Sequence, residues 1–221
     1  MRRLFVRIVA LACVPLWLVV AAPAAEAPAT ALDRYLDGLT TLRTNFSQVV
    51  VDAAGKQLEK GKGSLLVRRP GRFRWEYTPD DAGAQLLLAD GTNLWFYDRE
   101  LQQATVKPAA AALTATPVML LSGSADELRA AFIVAAAGQR DSLEWVKVTP
   151  RSAAAEFASA ELGFRGGQLA RLVIHDRLNQ TDTLEFTDSS RGARVSEAEL
   201  RFTPPAGVDV IGTPQLLPAT P

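Results

Sequence analysis

The sequence predicts a mainly β fold of the α+β kind: one curved antiparallel sheet of about ten strands, a helix ahead of it, and short helices inserted midway as a cap. Three observations carry this. From Asn45 onward the apolar residues alternate at period two, turn residues recur at short intervals, and no long helical segment separates one alternating run from the next. Parallel strands need crossover connections of about a dozen residues or more, so these runs read as a meander.

The first element is an export signal. Residues 1–7 carry Arg2, Arg3 and Arg7 without an acid, Ile8 to Val20 is nearly all apolar, and Ala22-Pro23-Ala24 supplies small residues for cleavage. That pattern reads as a secretory signal removed near Ala24, which leaves 25–221 as a single domain. The apolar stretch is short for a membrane span. Cys13, in Ala10-Leu11-Ala12-Cys13, is a weaker candidate for lipid attachment, because Ala10 opens a lipobox poorly and the apolar run continues through Val14, Leu16, Trp17 and Leu18.

The second element is a helix. Leu32, Tyr35, Leu36, Leu39, Leu42 and Phe46 recur at steps of three and four, while Asp33, Arg34, Asp37 and Thr41 fall elsewhere. The spacing predicts one amphipathic helix with a single apolar stripe, capped by Thr30 with Asp33 near its positive end.

Strands follow. Phe46 to Val51 meets a turn at Asp52 to Gly55, Leu58 to Val67 runs to Arg69-Pro70-Gly71, and Phe73 to Tyr77 ends at Pro79. Gln85 to Ala89 then meets Leu94 to Tyr97 across Asp90-Gly91, a hairpin signal. The later half repeats the pattern in Ser142 to Thr149, Ala155 to Phe164, Leu169 to Asp176 and Thr181 to Thr187. Phe73, Trp75 and Tyr77 form one apolar face against Arg72, Arg74 and Glu76, whereas Leu86-Leu87-Leu88 and Leu94 to Tyr97 are apolar on both faces. Some strands are therefore expected to be covered on two sides. A sheet this wide curls, and its concave face must be filled, by the first helix or by a ligand.

Between Lys107 and Ala131 the sheet pattern breaks. Thr116-Pro117 opens a helical turn, Val118 to Leu121 is apolar, Ser122-Gly123 ends it, and Ser124 to Glu127 opens a second turn carrying Leu128 and Phe132. Such a segment buries its apolar side by lying over the mouth of the curved sheet. The end of the chain, from about residue 212, reads as a flexible tail.

Composition removes several functions. Twenty-four basic residues balance 24 acidic ones in the 221, with no basic run, so a nucleic-acid surface is not expected. Loss of residues 1–24 takes away three Arg and no acid, leaving 21 basic against 24 acidic, and removes the single cysteine. A cysteine-free chain suits an oxidising compartment. Catalytic groups are hard to find. His175 adjoins Asp176, but neighbours on a strand point to opposite faces, so the two do not form a relay. Gly61-Lys62-Gly63-Ser64 lacks the earlier glycine and following helix of a phosphate loop, and Asp80-Asp81 reads as a turn. No enzyme activity, cofactor or metal is expected.

Gly61-Lys62-Gly63-Ser64-Leu65-Leu66-Val67-Arg68-Arg69-Pro70, followed by Phe73-Arg74-Trp75, resembles the signature of the LolA family of periplasmic lipoprotein carriers. The likeness continues through Asp90-Gly91, Leu94 to Tyr97, Gln103-Ala104-Thr105, Thr116-Pro117 with Met119-Leu120, and Phe202-Thr203-Pro204-Pro205 with Gly207-Val208. It implies an incomplete antiparallel β-barrel of about ten or eleven strands, closed by a helical lid, that carries lipoprotein acyl chains across the periplasm as a monomer. The implied partners are the inner-membrane transporter LolCDE and the outer-membrane receptor LolB. Arg69 occupies the position that in this family latches the lid through hydrogen bonds to its main chain, whereas the residues alone read it as a solvated arginine at a strand end. The implied acyl-chain cavity and lid are drawn from Leu36, Leu39, Phe46, Leu65, Val67, Phe73, Trp75, Leu87, Trp95, Val118, Met119 and Leu121. Val118 stands where relatives often carry an aromatic ring.

Two other readings share this fold. An RseB-like sensor of lipids or lipoproteins is expected to carry an added C-terminal domain, whereas this chain ends at Pro221 soon after Val210. A LolB-like acceptor needs a retained, lipidated cysteine.

Overall fold

A computed structural model describes residues 29–109 and 117–216. The export signal, Cys13 and Thr116 therefore lie outside the described residues. Helix α1 spans Ala31–Leu36 and is opened by a reciprocal capping box. Thr30 Oγ1 accepts from the Asp33 N–H at 3.2 Å, and Asp33 Oδ2 accepts from the Thr30 N–H at 2.8 Å. The helix stops there, because Asp37 turns extended and Gly38 takes a φ of +63° that favours glycine.

This corrects the expected long helix. Leu42 and Phe46 belong to strand β1, Thr41–Val51, where they project to one face with Thr44 between them. A step of four residues fits both a helical stripe and every second position of a strand pair, so the stripe alone did not distinguish them.

The strands continue as β2 (Gln57–Arg68), β3 (Arg72–Pro79), β4 (Gln85–Ala89), β5 (Asn93–Asp98) and β6 (Gln103–Pro108). Two short helices follow, α2 (Met119–Ser122) and α3 (Ala125–Ala131). Then come β7 (Phe132–Arg140), β8 (Leu143–Pro150), β9 (Phe157–Arg165), β10 (Gln168–Asp176) and β11 (Thr181–Arg191). A 3-10 turn at Ala198–Leu200 precedes the short β12, Asp209–Ile211.

All twelve strands form one curved, unclosed sheet in the order β12-β6-β5-β4-β3-β2-β1-β11-β10-β9-β8-β7. Two meanders are thus joined side by side where β1 pairs antiparallel with β11. The count exceeds the expected ten or eleven. Strand β7 escaped the alternation pattern because Ala135, Ala136 and Gly138 dilute its apolar side, and β12 departs from the antiparallel rule by pairing parallel to β6.

The concave face holds the main core. Leu42 and Phe46 of β1, Leu65 and Val67 of β2 and Phe73 of β3 pack with Leu32, Tyr35 and Leu36 of α1 and with Met119, Leu120 and Leu121 of α2. The convex face carries a second cluster of Leu86, Leu88, Trp95, Tyr97, Ala104 and Val106, covered by Phe202 and Val208 of the C-terminal segment. This segment is why β4 and β5 are apolar on both sides. Further along it, the Gln215 N–H donates to Asn93 Oδ1 at 2.7 Å and its carbonyl accepts from Asn93 Nδ2 at 2.9 Å. The chain is therefore tied to the sheet as far as residue 215, beyond the point where a flexible tail was expected.

Candidate functional site

The connection between β2 and β3 places Arg69 at the lid end of the sheet. Arg69 Nε and Nη2 donate to the Gly123 carbonyl at 3.0 and 2.7 Å, and Nη1 donates to the Leu36 carbonyl at 2.8 Å and the Leu39 carbonyl at 3.4 Å. One guanidinium thus joins the end of α2, the end of α1 and the chain entering β1. Carbonyls at helix ends lack intrahelical donors, so a planar cation with several N–H groups suits them. Burial pulls the Arg69 pKa below its ordinary value, and the Glu127 carboxylate offsets this. Glu127 is itself held low by hydrogen bonds from Ser124, its capping-box partner at the start of α3. A main-chain bond from the Gly71 N–H to the Ser122 carbonyl, 2.8 Å long, adds a second tie between the β2–β3 turn and the lid.

Below Arg69 lies the packed apolar core of the concave face, the place of the expected acyl-chain chamber. The structure brings together eleven of the twelve residues assigned to its wall and lid, with Trp75 and Leu87 half-buried at the edge of the concave core and Leu36, Leu39, Phe46, Leu65, Val67, Phe73, Val118, Met119 and Leu121 within it. Trp95 is the exception and a correction. Successive strand residues face opposite ways, so with Leu94 and Phe96 on the concave side, Trp95 falls on the convex side, against Phe202 at a ring separation of 5.4 Å. Its indole N–H donates to Asp90 Oδ2 at 3.2 Å. Val118 keeps the lid apolar and is itself buried.

Two glycines shape the chamber. A Cβ on Gly63 would lie 2.5 Å from the Phe46 ring and 2.1 Å from the Glu76 carbonyl, and one on Gly61 would lie 2.7 Å from the Tyr77 hydroxyl. Strand β2 therefore offers bare backbone on which the rings of Phe46 and Tyr77 rest. Phe46 in turn meets Trp75 at 4.4 Å and Tyr77 at 6.2 Å, forming an aromatic belt across β1 and β3.

Past the belt the concave face turns polar. A 260 Å³ pocket is lined by Gln48, Glu59, Trp75, Tyr77, Gln85, Leu87 and Phe96. Another, of 400 Å³, opens between α1, α3 and β7, where Leu32, Leu36, Leu128 and Val134 supply apolar surface. Neither Tyr77 nor Asp182 stood out in the sequence as a site residue. The signal available was the Gly-x-Gly spacing of β2, which marks a close approach to the backbone.

The discarded catalytic candidates have structural roles. His175 Nδ1 lies 3.2 Å from Thr181 Oγ1, and Asp176 Oδ1 accepts from the N–H groups of Leu178 and Gln180 in the β10–β11 turn. Among the described residues no group of three or more His, Cys, Asp or Glu is placed to hold a metal. No helix among the described residues is long and apolar enough to cross a membrane.

Comparison with known proteins fits this geometry. The sequence profile of the family described as outer membrane lipoprotein carrier protein LolA matches residues 37–203. An outer-membrane lipoprotein carrier protein of Dechloromonas aromatica is 36% identical over 181 residues, covering 82% of this chain and 86% of that protein. One of the same description from Methylibium petroleiphilum is 37% identical over 195 residues, covering 88% of this chain and 94% of that protein. Among solved structures, an uncharacterized conserved protein from Thermus thermophilus superposes with a TM-score of 0.53 at 17% identity, covering 82% of this chain and 96% of that one, which shows a shared fold.

Proposed function

The chain belongs to the LolA family of outer membrane lipoprotein carrier proteins, and from that premise we propose how its residues do the carrying. Lipoprotein acyl chains enter the concave face beneath α1 and α2, displacing the lid side chains that fill the empty chamber. Residues 1–24 direct export and are removed, so the carrier works in the periplasm as a monomer. It receives cargo from the inner-membrane transporter LolCDE and delivers it to the outer-membrane receptor LolB.

The observation that carries this reading is the Arg69 latch. Each acyl CH2 moved from water to an apolar site gains about 0.8 kcal/mol, so whole chains in an open apolar chamber would bind too tightly to leave. Opening the lid breaks the bonds from Arg69 to Gly123, Leu36 and Leu39. A hydrogen bond from a charged donor contributes about 1.5–3 kcal/mol, so the latch subtracts several kcal/mol from the acyl gain. Loading and release then lie close to balance, which is what a carrier between two membranes requires.

An in vitro transfer assay tests this. Arg69→Leu is expected to take up lipoprotein yet fail to pass it to the receptor, because nothing restores the closed lid. Normal delivery by that variant would sink the latch assignment. Extraction of the protein purified from the periplasm, followed by mass spectrometry, should recover acylated cargo.

A further inference from the structure

The polar end of the concave face has an arrangement that an acyl-chain chamber alone does not need. Val50 of β1 sits opposite Asp182 of β11 on one side and Glu59 of β2 on the other, so the two carboxylates flank it in a single cross-strand row. Tyr77 reaches toward this row across Gly61, which has no side chain to block it. Tyr77 is 6% exposed, and its hydroxyl meets no partner at full hydrogen-bond geometry, although burial and the nearby Glu59 carboxylate together push its pKa up. Asp182 Oδ2 accepts from Gln48 Nε2 at 2.9 Å, while Asp182 Oδ1 is buried and unpartnered. Buried polar atoms left unpaired are costly, and one of them, the Tyr77 hydroxyl, belongs to the wall of a 260 Å³ pocket that Glu59 and Gln48 also line and neither lysine nor arginine does, with Asp182 reached through its bond from Gln48.

Charge decides which ligand group fits. A phosphate or carboxylate would meet Glu59 and Asp182 with like charge, and a neutral hydroxyl would leave both carboxylates uncompensated. A primary ammonium has three N–H donors and matches the Asp182 Oδ1, Tyr77 hydroxyl and Glu59 acceptors. We propose that this end of the chamber is a subsite for a primary ammonium group carried by an acylated ligand, with Tyr77, Asp182 and Glu59 as its acceptors and the aromatic belt gripping the adjoining methylenes.

The electrostatics agree. Burial raises the Asp182 carboxyl to about 7, opposed by the Gln48 hydrogen bond and helped by the Glu59 charge. The charge acting on it is that of Glu59 from β2, Asp182 in turn acts on Tyr77 of β3 together with Asp80, and β10 presents Ile174 opposite. An ammonium in this place favours the carboxylate form, so ligand uptake near pH 7 releases a proton.

The subsite rests on the acyl-carrier reading, and the two fail differently. Binding of dodecylamine and dodecanol to the mature protein at pH 8 is measured by fluorescence displacement. A charge-assisted contact predicts dodecylamine to bind tighter by about tenfold or more. That ratio should fall toward one in Asp182→Asn and in Tyr77→Phe, each variant being its own reference for folding and general affinity. Calorimetry of dodecylamine at pH 7 in buffers of different ionisation enthalpy should show proton release. Equal binding of amine and alcohol, or a ratio unchanged in both variants, overturns the subsite; failure of both to bind overturns the acyl chamber itself. A diacylated lipopeptide with a free amino end and a short-chain phosphatidylethanolamine are compared in the same assay. The one whose affinity falls in Asp182→Asn identifies the source of the ammonium, and if neither falls the assignment fails.

Discussion

Gly63 and Gly61 show how single residues set the chamber. Gly63→Ala would force a methyl group against the Glu76 carbonyl and the Phe46 ring, neither of which is a free side-chain end. Overpacking of this kind costs about 1–3 kcal/mol, so a urea titration should show that loss, with little change when Gly55 in the β1–β2 turn is replaced by Asn. Asp182 gives a prediction with a defined sign. Its folded pKa of about 7 lies above its ordinary 3.8, so its contribution to stability is full below pH 3.8 and is lost as pH rises through 7. Asp182→Asn should therefore stabilise the empty protein at pH 8 and not at pH 3.5. One pKa unit corresponds to about 1.4 kcal/mol, and with solvent screening a gain of about 1–2 kcal/mol in the unfolding free energy is expected. Arg69 stands out in the sequence only through the family resemblance of its Arg-Pro pair, since the residues alone read it as a solvated arginine at a strand end. Its acceptors do not stand out at all, because the carbonyls of Gly123, Leu36 and Leu39 are main-chain groups that any residue would present.

Among the elements, the segment after β11 was the least legible. It has neither a period of two nor a helical stripe, yet it crosses the convex face and buries Trp95 and Tyr97 beneath Phe202. Ion pairs fasten its start: Glu197 meets Arg68 and Arg72, and Glu199 meets Arg43. The Arg72 and Arg68 guanidiniums hold Glu197 at about 2, and Arg43 does the same for Glu199. These pairs therefore persist through mildly acid pH and are lost as pH falls through about 2. Removing the Phe202 ring should cost about 2–3 kcal/mol, below the usual range for a buried phenylalanine because the ring is only half-buried, and should shift Trp95 fluorescence to longer wavelength. The helix-to-strand switch at Thr41 is hidden in the sequence for a different reason. Leu42 and Phe46 are four apart, a spacing common to both periods, and the glycine that settles the matter, Gly38, lay inside the supposed stripe.

At the scale of the whole molecule, stability is uneven. Strands β1, β2 and β11 lie at the centre of the sheet, bonded on both sides, while α2 and α3 are four and seven residues long, α2 tied by the Arg69 bonds to the Gly123 carbonyl and both held by their apolar residues. Native-state hydrogen exchange should show central-strand amides exchanging through global unfolding and lid amides through a smaller local opening. Arg69→Leu should speed the lid amides while leaving those of β1 unchanged. The general architecture was readable because alternation, turns and an apolar insert all pointed to one capped meander. The sheet is also unclosed: β7 stands at one edge and β12 beside β6 at the other, with no ladder between them. A sealed barrel has a bore fixed by strand number and stagger, and widening it means tearing a seam. An open sheet can bend like a leaf spring, its two margins spreading or drawing in while each ladder keeps its bonds. In an open sheet the girth that can be enclosed is set by bending stiffness and the lid, a property that would suit a carrier of lipoproteins with different numbers and lengths of chain.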